Sequence, residues 1–157
     1  MARSTTYATP ICLTLTGLAA VGILLGFVTD QVMYPIGFLV PAVAYEAYRT
    51  EGESTRWASW GLVALMLALV IVVVAGVDYD LRELLSRDVA YLGGERIPLG
   101  DVKVVFPAAM AALSVVLWTR TRGVYTRWLA AIIFVTAVAV VYLSAPAALG
   151  DILDTIT

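Results

Sequence analysis

From Trp57 to Val77 the chain runs for 21 residues without one charged side chain. Coiled as an α-helix, roughly 20 apolar residues cross the hydrocarbon core of a bilayer. A helix is also the one open-ended structure that satisfies its own backbone N–H and C=O groups without water. Four further apolar segments accompany this one, at about 7–29, 33–48, 102–119 and 127–148. The sequence therefore predicts an all-α integral membrane protein, a bundle of five transmembrane helices filling residues 1–157 as a single domain. Composition points the same way. Hydrophobic residues make up 61% of the chain and charged residues 14%, against about 25% charged in soluble domains.

The first segment follows Arg3 and has some look of a signal peptide, but its apolar run is long for one and no cleavage pattern follows, so it reads as a span. The second segment is short and holds Pro35 and Pro41. Proline breaks the backbone ladder, and neighbouring helices must then satisfy the released carbonyls. A re-entrant segment is the alternative there.

The charges in the short breaks fix an orientation. Arg3, Arg49, Arg56, Arg120, Arg122 and Arg127 all fall on one side if the segments alternate across the membrane. Basic short loops mark the cytoplasmic face. This predicts a multi-pass protein of the cell membrane with a cytoplasmic N-terminus and an extracytoplasmic C-terminus, and it requires an odd number of spans. Trp57, Trp60, Trp118 and Trp128 flank the same basic turns, as an interfacial aromatic belt does.

The two basic turns share a pattern. Residues 49–57 read RTEGESTRW and residues 120–128 read RTRGVYTRW, both fitting R-T-x-G-x-x-T-R-W. Each position has a physical task. The first Arg complements a helix C-terminus, Gly permits the left-handed conformation that stops a helix, Thr can N-cap the next helix, and Arg-Trp anchors it at headgroup depth. Duplication of a two-helix hairpin explains the match, and so does convergence on one solution. The expected architecture is one lead helix followed by two similar hairpins. The outer loop at 78–101 adds a short amphipathic helix, since Leu81, Leu84, Leu85, Val89 and Leu92 keep helical spacing and Gly93-Gly94 ends the run.

Little chemistry is present. The chain has no histidine and one cysteine, Cys12, which excludes histidine metal sites, histidine proton relays and internal disulfides. No nucleotide-binding, metalloprotease or hydrolase motif occurs, and the expectation is no enzyme, no cofactor, no metal, no catalytic residue and no nucleic-acid partner. Inside the spans Glu46 is the one ionisable candidate for a polar site. It lies one turn from Arg49, where an i, i+3 ion pair at the headgroups is the plainer role. Gly22 and Gly26 form a GxxxG, and Ala108 and Ala112 repeat that spacing, so these four are candidates for close helix packing within the chain or between subunits. Arg49, Arg56, Arg120, Arg122 and Arg127 are candidates for contact with lipid headgroups. A single lysine, acidic loops and abundant Ala, Val and Thr give a halophile-like composition.

The length, the proline-containing second span and the basic turn before the last span resemble the small membrane subunits of tripartite carboxylate transporters. The resemblance is one of layout and carries no site residues. The leading expectation is a structural or accessory subunit of a larger membrane complex, with a protein partner or a homo-oligomer in the membrane. A small oligomeric channel or transporter component is the second, and a protein that interacts with anionic lipid is the third.

Overall fold

The computed structural model describes residues 7–49, 53–76 and 102–146. They form five α-helices: α1 (Ala8–Thr29), α2 (Met33–Arg49), α3 (Glu53–Ala75), α4 (Val102–Arg120) and α5 (Val124–Ser144), with no strand among the described residues. Four of these, α1, α3, α4 and α5, are long and apolar enough to cross a membrane, as a multi-pass membrane protein requires. The fifth, α2, has 17 residues and continues unbroken through Pro41. The expected amphipathic helix, the rest of the outer loop and the C-terminal tail lie outside the described residues.

The helices pack as a ring with one addition. α2 packs on α3, α3 on α4, α4 on α5, and α5 returns to α2, while α1 rests against both α2 and α5. Close contacts fix the directions. Glu46 of α2 meets Ser59 of α3, and Gly61 of α3 comes close to Leu113 of α4, so neighbours in the ring are antiparallel. Thr9 and Thr16 of α1 meet Tyr125 and Trp128 of α5, so α1 runs parallel to α5. The start of α1, the end of α2, the start of α3, the end of α4 and the start of α5 therefore gather at one end, and the arginine turns come with them.

Each helix buries one stripe at helical spacing. On α2 it is Pro35, Ile36, Leu39, Ala42, Val43 and Glu46. Leu39, Leu62, Met110, Leu117, Leu129 and Ile133 are almost wholly enclosed and belong to one core. Leu24, Leu67, Ile71, Val74 and Val135 point outward, a surface suited to hydrocarbon. Among lipid tails an apolar side chain gains little by leaving its surroundings, so cohesion rests on close fit and on hydrogen bonds between helices.

Gly22 and Gly26 supply that fit for α1. A Cβ at Gly22 would stand 2.7 Å from Phe38 Cβ, and one at Gly26 would stand 2.9 Å from Pro35 Cδ and 3.0 Å from Leu143 Cδ1. Both glycines thus pack inside the chain, against α2 and α5. Ala108 is half-buried and Ala112 exposed; the buried stripe of α4 runs instead through Val104, Pro107, Met110, Ser114 and Leu117.

The α1–α2 turn is made by Asp30, which adopts the left-handed conformation (φ 53°) and donates its N–H to the Gly26 carbonyl. Aspartate is among the few residues besides glycine that visit this region.

The two basic turns hold equivalent places. Arg49 and Arg120 are the last residues of α2 and α4, and Thr55 and Thr126 are each the third residue of the following helix. The expected roles of Gly and Thr change here. Gly123 has an extended backbone (φ −73°, ψ 124°) and is itself the N-cap, with no side-chain cap bond. Thr126 is buried within the first turn of α5 rather than capping it.

Candidate functional site

The polar groups of the bundle collect at the arginine end. Glu46 is 0% exposed, placed by the buried stripe of α2. Ser59 Oγ donates to Glu46 Oε1 at 3.0 Å and lies 3.3 Å from the Thr55 carbonyl. Its single proton is thus shared between a carboxylate on α2 and its own helix, with the carboxylate closer. Thr55, one turn earlier, is also buried.

Arg49 ends α2 and is half-buried. Its guanidinium lies 4.7 Å from the centre of the Tyr125 ring, within range of a cation–π attraction. Nη1 also makes a long hydrogen bond of 3.4 Å to the Tyr45 hydroxyl. The Tyr125 hydroxyl in turn is 2.9 Å from Thr9 Oγ1. Trp128 Nε1 donates to Thr16 Oγ1 at 3.1 Å, and the Thr16 hydroxyl donates to the Cys12 carbonyl at 2.7 Å. Cys12, between Thr9 and Thr16 in the α1 sequence, is fully buried. One arginine, one carboxylate and a set of hydroxyl and indole groups thereby tie α1, α2, α3 and α5 together at a single end.

Glu46 reaches Ser59 on α3, and Arg49 reaches Tyr125 on α5. The remaining candidate arginines, Arg56, Arg120, Arg122 and Arg127, are exposed. Arg127 Nε donates to the Thr121 carbonyl at 2.8 Å, bending its side chain back across the turn. No group of three or more His, Cys, Asp or Glu residues comes together among the described residues. An open groove of about 460 Å³ lies on the outer face of α1 at the same end, lined by Tyr7, Pro10, Ile11, Thr14 and Leu15.

Sequence reasoning singled out Glu46 and Arg49 but missed their partners. Ser59 had a signal: with Thr55 it places two hydroxyls one turn apart in an otherwise apolar span. Thr9, Cys12 and Thr16 likewise share one face of α1. Tyr125 and Trp128 had none beyond their place at the interface. Comparison with known proteins gives no matching family, no similar curated sequence and no solved structure of significant likeness.

Proposed function

We propose that this chain is a structural or accessory subunit of a membrane complex, crossing the bilayer five times with its N-terminus in the cytoplasm and its C-terminus outside. The carrying observation is how the polar groups set between the helices are used. Glu46, Ser59, Arg49, Tyr125, Thr16 and Trp128 join neighbouring helices, while large aliphatic side chains fill the middle of the ring. Such an interior serves to hold helices in place.

Five crossings are favoured by the continuity of α2. It lies antiparallel to α1 from the Gly26–Pro35 contact to the arginine end. At roughly 1.5 Å per residue, its 17 residues reach about 25 Å. That is short of the full hydrocarbon core, and Arg49 at its end can snorkel to close the gap. The arginines gathered at one end support the proposed orientation. The equivalent places of Arg49 and Arg120, and of Thr55 and Thr126, favour duplication of one hairpin over convergence.

The test is extraction of the full chain from its native membrane directly into polymer-bounded lipid discs. A particle holding the 16.8 kDa chain with a second polypeptide at constant ratio across sizing and gradient steps is expected. A homogeneous single-chain particle overturns the proposal. Thiol labelling of Ala2→Cys and Thr157→Cys in a Cys12→Ser background reads the topology: only the C-terminal thiol should react from outside intact cells.

A further inference from the structure

We propose that the α4–α5 turn is a binding site for the headgroup of an anionic phospholipid, formed by Arg120, Arg122 and Arg127. This rests on the membrane reading, and more narrowly on the arginine end lying at headgroup depth.

Five arginines share that end, but the structure separates them. Arg49 is half-buried and committed to Tyr125 and Tyr45. Arg56 is exposed, yet its turn also carries Glu51 and Glu53, so the formal charge of residues 49–57 sums to zero. The second turn has three arginines and no acid, and no Asp or Glu occurs anywhere from Val102 to Gly150. The topological preference for basic loops explains arginine on this side of the membrane; it does not explain why one copy of the turn is neutralised and the other is not.

Geometry adds to charge. Arg120, Arg122 and Arg127 are all exposed. The side chains of Arg120 and Arg122 enter no hydrogen bond or ion pair among the described residues, and the Arg127 guanidinium commits only Nε, to the Thr121 carbonyl. That bond folds the Arg127 guanidinium toward the turn and leaves both terminal nitrogens for a ligand. The start of α5 opens on the same turn without a side-chain cap, adding the positive end of a helix dipole. Guanidinium groups match phosphate oxygens two at a time, which ammonium groups do not, and this cluster contains no lysine.

The surroundings favour an amphiphile over a soluble anion. Val124, set between Arg122 and Arg127, is 72% exposed. Trp118 is exposed just before Arg120, and Trp128 follows Arg127 half-buried. A phosphate held by the arginines would have its glycerol and upper acyl carbons beside these apolar groups. A free phosphate ion would leave them in water.

The experiment uses the full chain in phosphatidylcholine vesicles containing a minor fraction of lipid brominated on its acyl chains, with tryptophan fluorescence as the readout. Brominated phosphatidylglycerol should quench at lower fractions than brominated phosphatidylcholine. At about 1 kcal/mol per basic residue, the preference should fall roughly fivefold in Arg122→Gln and roughly a hundredfold in the triple Arg120→Gln, Arg122→Gln, Arg127→Gln variant. Arg56→Gln should stay within about twofold of the parent. The Arg122 side chain makes no hydrogen bond or ion pair among the described residues, so its single variant reports even if the triple variant loses helical circular dichroism. Unchanged preference in Arg122→Gln, or equal loss in Arg56→Gln, overturns the site. Displacement of the lipid by soluble glycerol phosphate overturns its assignment to a lipid. None of these outcomes depends on whether a protein partner exists, so the subunit proposal stands or falls separately.

Discussion

Alanine at Gly22 should loosen the bundle, while alanine at Gly17, one and a half turns away on the same helix, should not. At Gly17 a methyl group meets nothing within 4 Å; at Gly22 it would lie 2.7 Å from Phe38 Cβ and 2.9 Å from Phe38 Cδ2. The Phe38 Cβ is fixed to the α2 backbone, so a rotamer change cannot remove the closest overlap. α1 and α2 must separate by several tenths of an ångström along a seam where fit is the main source of cohesion. Overpacking of this kind costs about 1–3 kcal/mol. Exchanging Gly for Ala also favours the helix by up to about 1 kcal/mol, but that gain is common to both variants and cancels in their difference. Gly22→Ala should therefore be less stable than Gly17→Ala by about 1–3 kcal/mol, a factor of roughly 5 to 150 in the unfolding equilibrium. Unfolding in mixed lipid–detergent micelles, followed by tryptophan fluorescence, measures it. A control removes the obstacle: Phe38→Gly, which takes away the Cβ itself, should cost less in the Gly22→Ala background than in the parent, as coupled neighbours do. Equal stability of the two alanine variants would falsify the claim that the GxxxG seats α1 on α2.

Three further outcomes follow from the polar cluster. Ser59→Ala should cost about 0.5–2 kcal/mol in the parent and less in a Glu46→Leu background; strictly additive effects would show that the two side chains are not coupled. Tyr125→Phe removes the bond to Thr9 but keeps the ring under Arg49, so it should cost less than Tyr125→Leu, by about 0.5–2 kcal/mol. Finding the two equal in a thermal melt would remove Arg49–Tyr125 from the list of helix ties. Cys12 is enclosed between α1 and its neighbours, so a maleimide should label it only after the bundle opens in denaturing detergent; equally fast labelling of the native protein would contradict the packing of α1.

Much of the fold was legible because hydropathy reports on the solvent and the solvent here changes sharply. The apolar stretch at 7–29 became α1 (Ala8–Thr29), and that at 102–119 became α4 (Val102–Arg120). The discrepancies arise where backbone and solvent part company. α3 begins at Glu53 and α5 at Val124, three or four residues before their apolar runs. A helix does not stop at the hydrocarbon boundary, and its first turn continues among the headgroups. α5 stops at Ser144, because Ala145 precedes Pro146 and is steered away from helical angles (φ −150°, ψ 78°).

The site was legible in halves. Glu46 stood out as an acid in an apolar run, and Ser59 could have been found from it. In an antiparallel hairpin, residues near the connection on one helix meet those near it on the other, and Glu46 stands three residues before the end of α2 and Ser59 six after the start of α3. The other ties join residues more than a hundred positions apart, Thr9 to Tyr125 and Thr16 to Trp128. No local pattern encodes which helix a threonine on α1 will touch. The glycine and threonine of the repeated turn were given tasks from their residue types alone. The fold assigns them by register instead, with Gly123 before the helix and Thr126 inside it.

The place of α1 has a consequence for how the protein is made. Of the five described helices α1 leaves the ribosome first, and two of its hydrogen bonds wait for α5. Until α5 has entered the membrane, Thr9 lacks the hydroxyl of Tyr125 and Thr16 lacks the indole of Trp128. The early helices can assemble as far as α1 on α2, but one flank of α1 stays open until α5 is made. A chain truncated before α5 would display that flank, with its threonines and Cys12, to the insertion and quality-control machinery. Insertion of α5 and closure of α1 are thus the same event.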